Sequence, residues 1–573
     1  MMKSMTSSAE AGARASVGVA RVPARFPARL PARLPASIPA LAAACAFVFA
    51  LAGCAVGPDY KPPAAELAPF QHVPASTLAA SQAPGAAAAP APSLDTWWTG
   101  FQDPMLVSIV DRALAQNLDL AAAFARVRQA RAAASAAGAA LLPTFDLDGS
   151  ASEQHQSELS PTGSLAKAFP GYDRNQREYT LGAAASWEID LAGGLRRNAA
   201  AAANEAQAAE ADRLGTRVTV AADAADAYLQ VRGYQARLAV ANDQVQTDAH
   251  LLELVKARRR AGAADEREIA QADALLRQAR ALVPTLQTNL VAQLNRLDIL
   301  MGAQPGTYAS QLALPGEIPG IPSVDASATP TDVLRRRPDV IAAERRLAAS
   351  NERIGAALSD YYPKLSISGL LGFDSISAGQ LFTARAFQPG VTAGLRWRLF
   401  DFGKVDAEVA SARGANAEAL ASYRQTVLKA AEDVENAFVA LSQTQLRQAE
   451  LDAEVKSLTR ARDLSERAYK AGAITLTDVL DADRQLLGAR DDLDATRADS
   501  ARAAVSVFRA QAELDAEVKS LTRARDLSER AYKAGAITLT DVLDADRQLL
   551  GARDDLDATR ADSARAAVSV FRA

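Results

Sequence analysis

Leu142-Pro143-Thr144-Phe145-Asp146-Leu147-Asp148-Gly149-Ser150 alternates polar and apolar residues behind a proline, the pattern of a strand that wets one face and shields the other. The same pattern returns 220 positions later in Tyr362-Pro363-Lys364-Leu365-Ser366-Ile367-Ser368-Gly369-Leu370. Working outward, Asn117-Leu118-Asp119-Leu120 lines up with Arg337-Pro338-Asp339-Val340 at that offset, whereas Trp187 with Trp397 and Gly262 with Gly472 lie 210 apart. The ten-residue difference implies a longer connecting loop in the first half. Each half therefore reads as helix, strand, loop, strand, very long helix, turn and helix, two copies of one structural repeat. Partner strands are expected near 178–190 and 389–400, with loops rich in Ser, Gly and Pro at 155–175 and 374–386.

The helices that follow are too long for a compact domain. From Leu195 to Arg260 there is no proline, and those 66 residues would extend about 100 Å at about 1.5 Å each. Val231, Leu238, Val245 and Leu252 recur every seven residues, with Tyr234, Ala241 and Val255 three positions after their partners. Asp248 interrupts this seam, which reads as helix packing. A tilted membrane-crossing strand needs about 9–11 residues, which the alternating segments can supply. Four strands cannot close a barrel, and lipid tolerates no open sheet edge, so a spanning sheet needs at least two chains to reach about eight strands. The strands alone are also compatible with a soluble four-stranded sheet.

Composition removes several function classes. Among 573 residues, Lys+Arg 63 against Asp+Glu 67 leaves a net charge of -4, so no nucleic-acid partner is expected. His72, His155 and His250 stand far apart without metal-ligand spacing, and only Cys45 and Cys54 could supply thiols. No Gly-rich phosphate loop or nucleophile elbow is present, so neither an enzyme nor a metal protein is expected.

Residues 39–53, PALAAACAFVFALAG, form an apolar run too short to span a bilayer, preceded by Arg21, Arg25, Arg29 and Arg33. This is a secretory signal ending in Leu51-Ala52-Gly53-Cys54, which resembles the bacterial lipobox. That resemblance implies cleavage before Cys54, a diacylated cysteine as the first mature residue and the only covalent group on the protein. Ala55 in place of Asp implies sorting to the outer membrane.

At the other end, residues 448–510 recur without one change as residues 511–573. Diverged units and distinct caps are the mark of a repeat array, so identity indicates a recent in-frame duplication or a sequence-assembly error.

Several motifs in order resemble the outer membrane factors of the TolC and NodT type. They are Cys54 with Val56-Gly57-Pro58-Asp59-Tyr60, Trp97-Trp98 with Phe101-Gln102-Asp103-Pro104, Arg336-Arg337-Pro338-Asp339, Trp397 through Asp401-Phe402-Gly403, and Ala471-Gly472 leading to Asp478-Val479-Leu480. The resemblance covers about residues 51–510. It implies a mixed α+β membrane protein: a homotrimer whose twelve strands, four per chain, form one outer-membrane β-barrel continued by a periplasmic α-helical barrel. Its implied partners are a periplasmic adaptor protein, an inner-membrane RND-type transporter and outer-membrane lipid. The implied function is the exit channel of a tripartite efflux pump, gated at its periplasmic tip. A type I secretion exit duct is the nearest alternative. A periplasmic adaptor lipoprotein fits less well, because it would have one hairpin flanked by small β domains.

On this reading residues 1–53 are signal, 54–102 lipid anchor and linker, 103–142 the helix of the first repeat, 143–191 the first strand pair and 192–302 the first long hairpin. Residues 303–330 are an equatorial linker, 331–362 the helix of the second repeat, 363–402 the second strand pair, 403–510 the second hairpin and 511–573 the duplicate.

The resemblance also assigns a gate. In the family each hairpin reverses at a glycine near the periplasmic tip, where the adaptor docks, and Gly262 and Gly472 match those positions. Asp478 and Asp481 match the family's aspartate rings, which raise local cation concentration at a narrow opening. Their three-residue spacing puts both on one helix face, and without the resemblance that pattern reads first as solvated surface charge. Tyr469 and Glu268 match a tyrosine–carboxylate latch, although Gly262-Ala263-Ala264-Asp265-Glu266-Arg267-Glu268 is more charged than the usual tip. The second copy, with Gly535, Asp541 and Asp544, has no equivalent slot in a closed trimer and is expected to sit outside the barrel or to hinder assembly.

Overall fold

A computed structural model of the chain describes residues 55–63, 69–71, 96–166, 169, 171–324 and 336–511, all within one compact unit that runs from Cys54. The signal, Cys54, His72 and the second copy beyond Gln511 lie outside the described residues.

Four strands, β1 (Thr144–His155), β2 (Asn175–Ile189), β3 (Lys364–Ser375) and β4 (Phe387–Arg396), form one antiparallel sheet in sequence order. The two strand pairs read from the sequence are thus joined through β2 and β3. Register sorts the side chains into two faces. Phe145 opposes Ala185, which opposes Gly369, which opposes Val391. One step along, Leu147 opposes Ala183, which opposes Leu371, which opposes Pro389. The intervening rows, such as Asp146, Ala184, Leu370 and Gly390, or Thr144, Ser186, Ser368 and Thr392, form the other and more polar face. Phe145, Leu147, Leu371, Val391 and Leu395 are all exposed, so among the described residues nothing covers the apolar face.

The strand ends differ from the sequence reading in two places. β4 stops at Arg396 rather than near residue 400, because Arg396 pairs with Lys364, the first residue of β3, and no partner remains beyond it. β2 starts at Asn175, and the loop before it contains a short helix at Pro161–Ala166. Trp187 and Trp397, aligned in the sequence, make the same contact: their indole N–H groups donate to the carbonyls of Leu141 (2.9 Å) and Tyr361 (3.0 Å).

The longer helices are α1 (Pro104–Gln116), α2 (Leu118–Ala139), α3 (Gly194–Arg260), α4 (Glu266–Leu300), α5 (Pro338–Ser359), α6 (Lys404–Lys470) and α7 (Leu476–Gln511). The single helix expected over 103–142 is two, α1 and α2. Asn117 divides them: its side-chain oxygen caps α2 at the Leu120 amide and its amide donates to the Leu300 carbonyl, both at 3.0 Å. Helices α3 and α6 are each 67 residues long and start behind Gly193 and Gly403, whose φ values of 80° and 85° suit glycine. Among the described residues no helix is long and apolar enough to cross a membrane.

Small residues let the long helices approach closely. A Cβ on Gly233 of α3 would lie 2.7 Å from the Ala498 Cβ of α7. Arg237 bridges to Asp491 at 2.7 Å and Arg502 to Asp226 at 2.6 Å across the same pair of helices. The main core lies about half way along the rods. There Trp97 stacks on Phe508 with centroids 5.4 Å apart, beside Tyr228 and Phe438. Tyr228 donates to Asp103, which also caps α1. Nearer the turns, α3 departs from the heptad seam expected of it. Gln244 and Asp248 are buried there while Val245 is only half-buried, because they face α6 and α7.

The chain next to Cys54 is strapped down. Val56 donates to the Ala192 carbonyl (3.0 Å), Asn351 donates to Pro58 (2.9 Å), and a Cβ on Gly57 would meet Gly355 Cα at 2.6 Å. Arg197 of α3 gathers the Val56 carbonyl, Asp59 and Glu352 around one guanidinium.

Candidate gate at the hairpin tips

Both long helices reverse at glycine. Gly262 has φ 74° and Gly472 φ 77°, and in each turn the next residue donates back to the last helical turn, Ala263 to Arg258 and Ala473 to Ala468, both at 2.9 Å. Nothing lies within 4 Å of a Cβ built on either glycine, so the requirement is conformational rather than steric. Gly472→Ala is therefore expected to destabilise the turn by about 1 kcal/mol, about fivefold in local opening, read as faster amide exchange flanking residue 472. Unchanged exchange would show that the turn tolerates a side chain at positive φ.

Asp265 starts α4 by accepting the Glu268 amide at 2.9 Å. Asp478 does the reciprocal work at α7, where its carboxylate accepts both the amide (2.9 Å) and the hydroxyl (2.7 Å) of Thr475. Those bonds hold the Asp478 carboxyl below the usual carboxylate range. Asp481, exposed, pairs with Arg484 at 3.3 Å. Each acid assigned to the aspartate rings thus has a local partner within its own helix or cap.

Tyr469 is buried in an apolar cluster with Leu252, Val255, Leu276, Leu476 and Val479, which joins the two hairpins at their tips. Its hydroxyl points at Glu268 Oε2 across 3.5 Å, at the outer limit for an O–H donor. Arg258 holds the same tyrosine more closely: its guanidinium carbon lies 4.3 Å from the ring centroid, and Nη1 donates to the Tyr469 carbonyl at 3.1 Å. Burial pushes the Tyr469 hydroxyl above its ordinary pKa, the Arg258 charge opposes that shift, and Glu268 adds to it. The structure therefore brings Tyr469 and Glu268 together and places Gly262 and Gly472 in the turns. It leaves Asp478 and Asp481 on the first turns of α7.

A second polar cluster lies further up the hairpins. Asp248, 1% exposed, accepts from Gln244 at 2.8 Å through Oδ1 and leaves Oδ2 without a partner. Asp483, also buried, is held by Arg462 at 2.9 Å, and Arg462 in turn serves Asp463 and Glu466. Burial, with a smaller push from Asp483, raises the Asp248 carboxyl to about 6, against the pull of Gln244 and Arg462.

This layout of one sheet and two long hairpins meets a family model. The model for outer membrane efflux proteins matches residues 109–303 and 329–513. The chain belongs to the outer membrane efflux protein family. This efflux protein is 32% identical over 433 residues to the pyoverdine export outer membrane protein OpmQ of Pseudomonas putida, covering 75% of the chain and 90% of that protein. It is 30% identical to nodulation protein T of Rhizobium leguminosarum bv. trifolii, covering 77% of the chain and 90% of that protein. Among solved structures it is similar to the outer-membrane channel OprN, at 32% identity and a TM-score of 0.72, covering 80% of this chain and 99% of that one. The efflux protein is thus an outer-membrane protein of a family of channels. The family match ends at residue 513, so nearly all of the second copy lies beyond it.

Sequence reading of this efflux protein missed Arg258 and the Asp248–Asp483–Arg462 cluster. Arg258 is one of three consecutive arginines before Gly262, and nothing local marks it apart from Arg259 and Arg260. Its partner is 211 positions away. Asp248 did carry a signal, the break in the seam.

Proposed function

We propose that this protein is the outer-membrane exit channel of a tripartite efflux pump, carrying small molecules from the periplasmic side to the exterior. The observation that carries this reading is the two-faced sheet, whose uncovered apolar face suits lipid while its polar face suits a water-filled lumen. One chain supplies only four strands, so three chains would close a twelve-stranded barrel, and α3, α4, α6 and α7 would continue it as a helical barrel. The equal lengths of α3 and α6, and the matched indole contacts of Trp187 and Trp397, support two internal structural repeats. Threefold symmetry would bring three copies of Asp478 and Asp481 around one opening. A lipid on Cys54 would anchor the chain just ahead of the strap at Val56. The tips at Gly262 and Gly472 would dock a periplasmic adaptor, which joins the channel to an inner-membrane RND-type transporter. Relatives named for toluene and pyoverdine export support a small-molecule cargo.

The reading is tested by drug and dye susceptibility in a strain lacking its own outer-membrane efflux channel, given a compatible pump and adaptor. The chain stopped after Ala510 is expected to restore resistance, and the full chain to do so if residues 511–573 sit outside the barrel. Rescue by the shorter chain alone marks the second copy as disabling. Rescue by neither counts against the efflux reading and favours a secretion duct or another partner system.

A further inference from the structure

We propose that the main restraint closing this gate is a clasp of Arg258 on Tyr469, with the Tyr469–Glu268 contact secondary. The proposal rests on the channel reading above and names the side chain that positions its latch.

Arg258 lies in the last turn of α3 and Tyr469 in the last turn of α6, so their contact ties the first hairpin to the second within a turn of both reversals. Three effects converge on the one guanidinium. It lies over the face of a buried phenol, where its charge meets the negative face of the ring with little competing water. It donates to the Tyr469 carbonyl, one of the orphan acceptors at the end of α6. It also places a positive charge at the C-terminal ends of two helices at once, where both dipoles favour a cation. Its Nε stays buried without an acceptor, so the planar group is positioned by ring and carbonyl rather than by a carboxylate. The tyrosine hydroxyl, by contrast, reaches Glu268 only at 3.5 Å. The ring and carbonyl of Tyr469 are therefore the parts that matter, and its hydroxyl is secondary.

This ordering differs from a hydroxyl–carboxylate latch in what it predicts for conservative substitutions. The test uses the full chain and the chain stopped after Ala510, purified as trimers and reconstituted in planar bilayers, with open probability read as ion conductance and trimer content checked for each variant. Arg258→Met, which keeps much of the side chain's bulk, is expected to raise open probability about tenfold, the scale of one desolvated cation–π contact with a charge-assisted hydrogen bond. Arg258→Lys should recover most of the closure, since charge remains over the ring, and Tyr469→Leu, which removes the ring but keeps the backbone carbonyl, should open the pore somewhat less than Arg258→Met. Tyr469→Phe and Glu268→Gln should raise open probability far less than either.

Equal leak from Tyr469→Phe and Arg258→Met would return the latch to the hydroxyl and overturn the clasp. Wild-type closure in Arg258→Met would show that the residue only fills space, with the same consequence. If the wild-type trimer itself formed no conducting pore, the channel reading would fail and the clasp with it, an outcome distinct from a pore whose closure ignores Arg258.

Discussion

Arg197→Met is expected to destabilise the protein by about 1–3 kcal/mol, because it leaves a mostly enclosed carboxylate without its partner instead of merely removing a surface charge. The Arg197 side chain is 9% exposed and bonds Glu352 at 2.8 Å and Asp59 at 3.0 Å, and Glu352 is itself 12% exposed. Asp59 is open to water and loses little when its partner goes. Glu352 is far more enclosed and has less access to water. The same guanidinium accounts for the Val56 and Gly57 carbonyls, so the strap from Val56 to Tyr60 should loosen as well. Two readouts separate these effects: the denaturant midpoint of the detergent-solubilised protein, and protease cleavage within residues 55–63. Arg197→Met with Glu352→Leu should recover most of the lost stability, since it removes the stranded charge, but should leave the strap sensitive. A single variant with a wild-type midpoint would mean that water reaches Glu352 in solution.

Asp248→Asn should act in the opposite direction and stabilise the protein at neutral pH. With its carboxyl raised from 3.8 to about 6, Asp248 favours the folded state while it is protonated. Below about pH 4 both folded and unfolded chains carry the proton, and the contact contributes fully. As pH rises from about 4 to 6 the unfolded chain releases its proton first, and stability falls. Above about 6 the whole penalty, about 3 kcal/mol, is present. Asparagine can still accept from Gln244 and carries no charge, so the variant should exceed wild type at pH 7.5 and match it at pH 4. Asp483 is shifted in the same direction by burial, so some pH dependence will survive the substitution. Equal midpoints for wild type and Asp248→Asn at both pH values would count against a buried charge at this site.

What the sequence disclosed and what it hid divide along physical lines. Strands announced themselves because alternation is a local pattern with a period of two, and β1 and β3 begin within two residues of the prolines that introduce them. The long helices were legible because proline is absent from α3 and glycine ends both rods. Gly262 and Gly472 could be placed because a helix reversal needs positive φ, a demand written at a single position. Asn117 was harder: as a cap it breaks one apparent helix into two, yet its second bond reaches Leu300, far away in sequence. Thr475, whose amide and hydroxyl both bond Asp478, lies three residues away in a familiar cap, so this contact was legible locally while a ring around an opening was not. Arg258 was invisible, since only the folded chain sets it over Tyr469. Pairwise geometry between distant segments is what a single sequence does not display.

The placement of the aromatic core has a mechanical consequence. Tyr228 and Phe438 sit close to the midpoints of two 67-residue rods, so the core around the Trp97–Phe508 stack divides each rod into a sheet-side half and a tip-side half. Each half of such a rod is about 50 Å long, and a bend of about 5° at the core displaces the far end by about 4 Å. One end is pinned by three antiparallel ladders, whereas the other ends in a five-residue turn held by one apolar cluster. With the sheet end and the middle both held, bending of the outer half is what moves the free end, where the glycine turns lie.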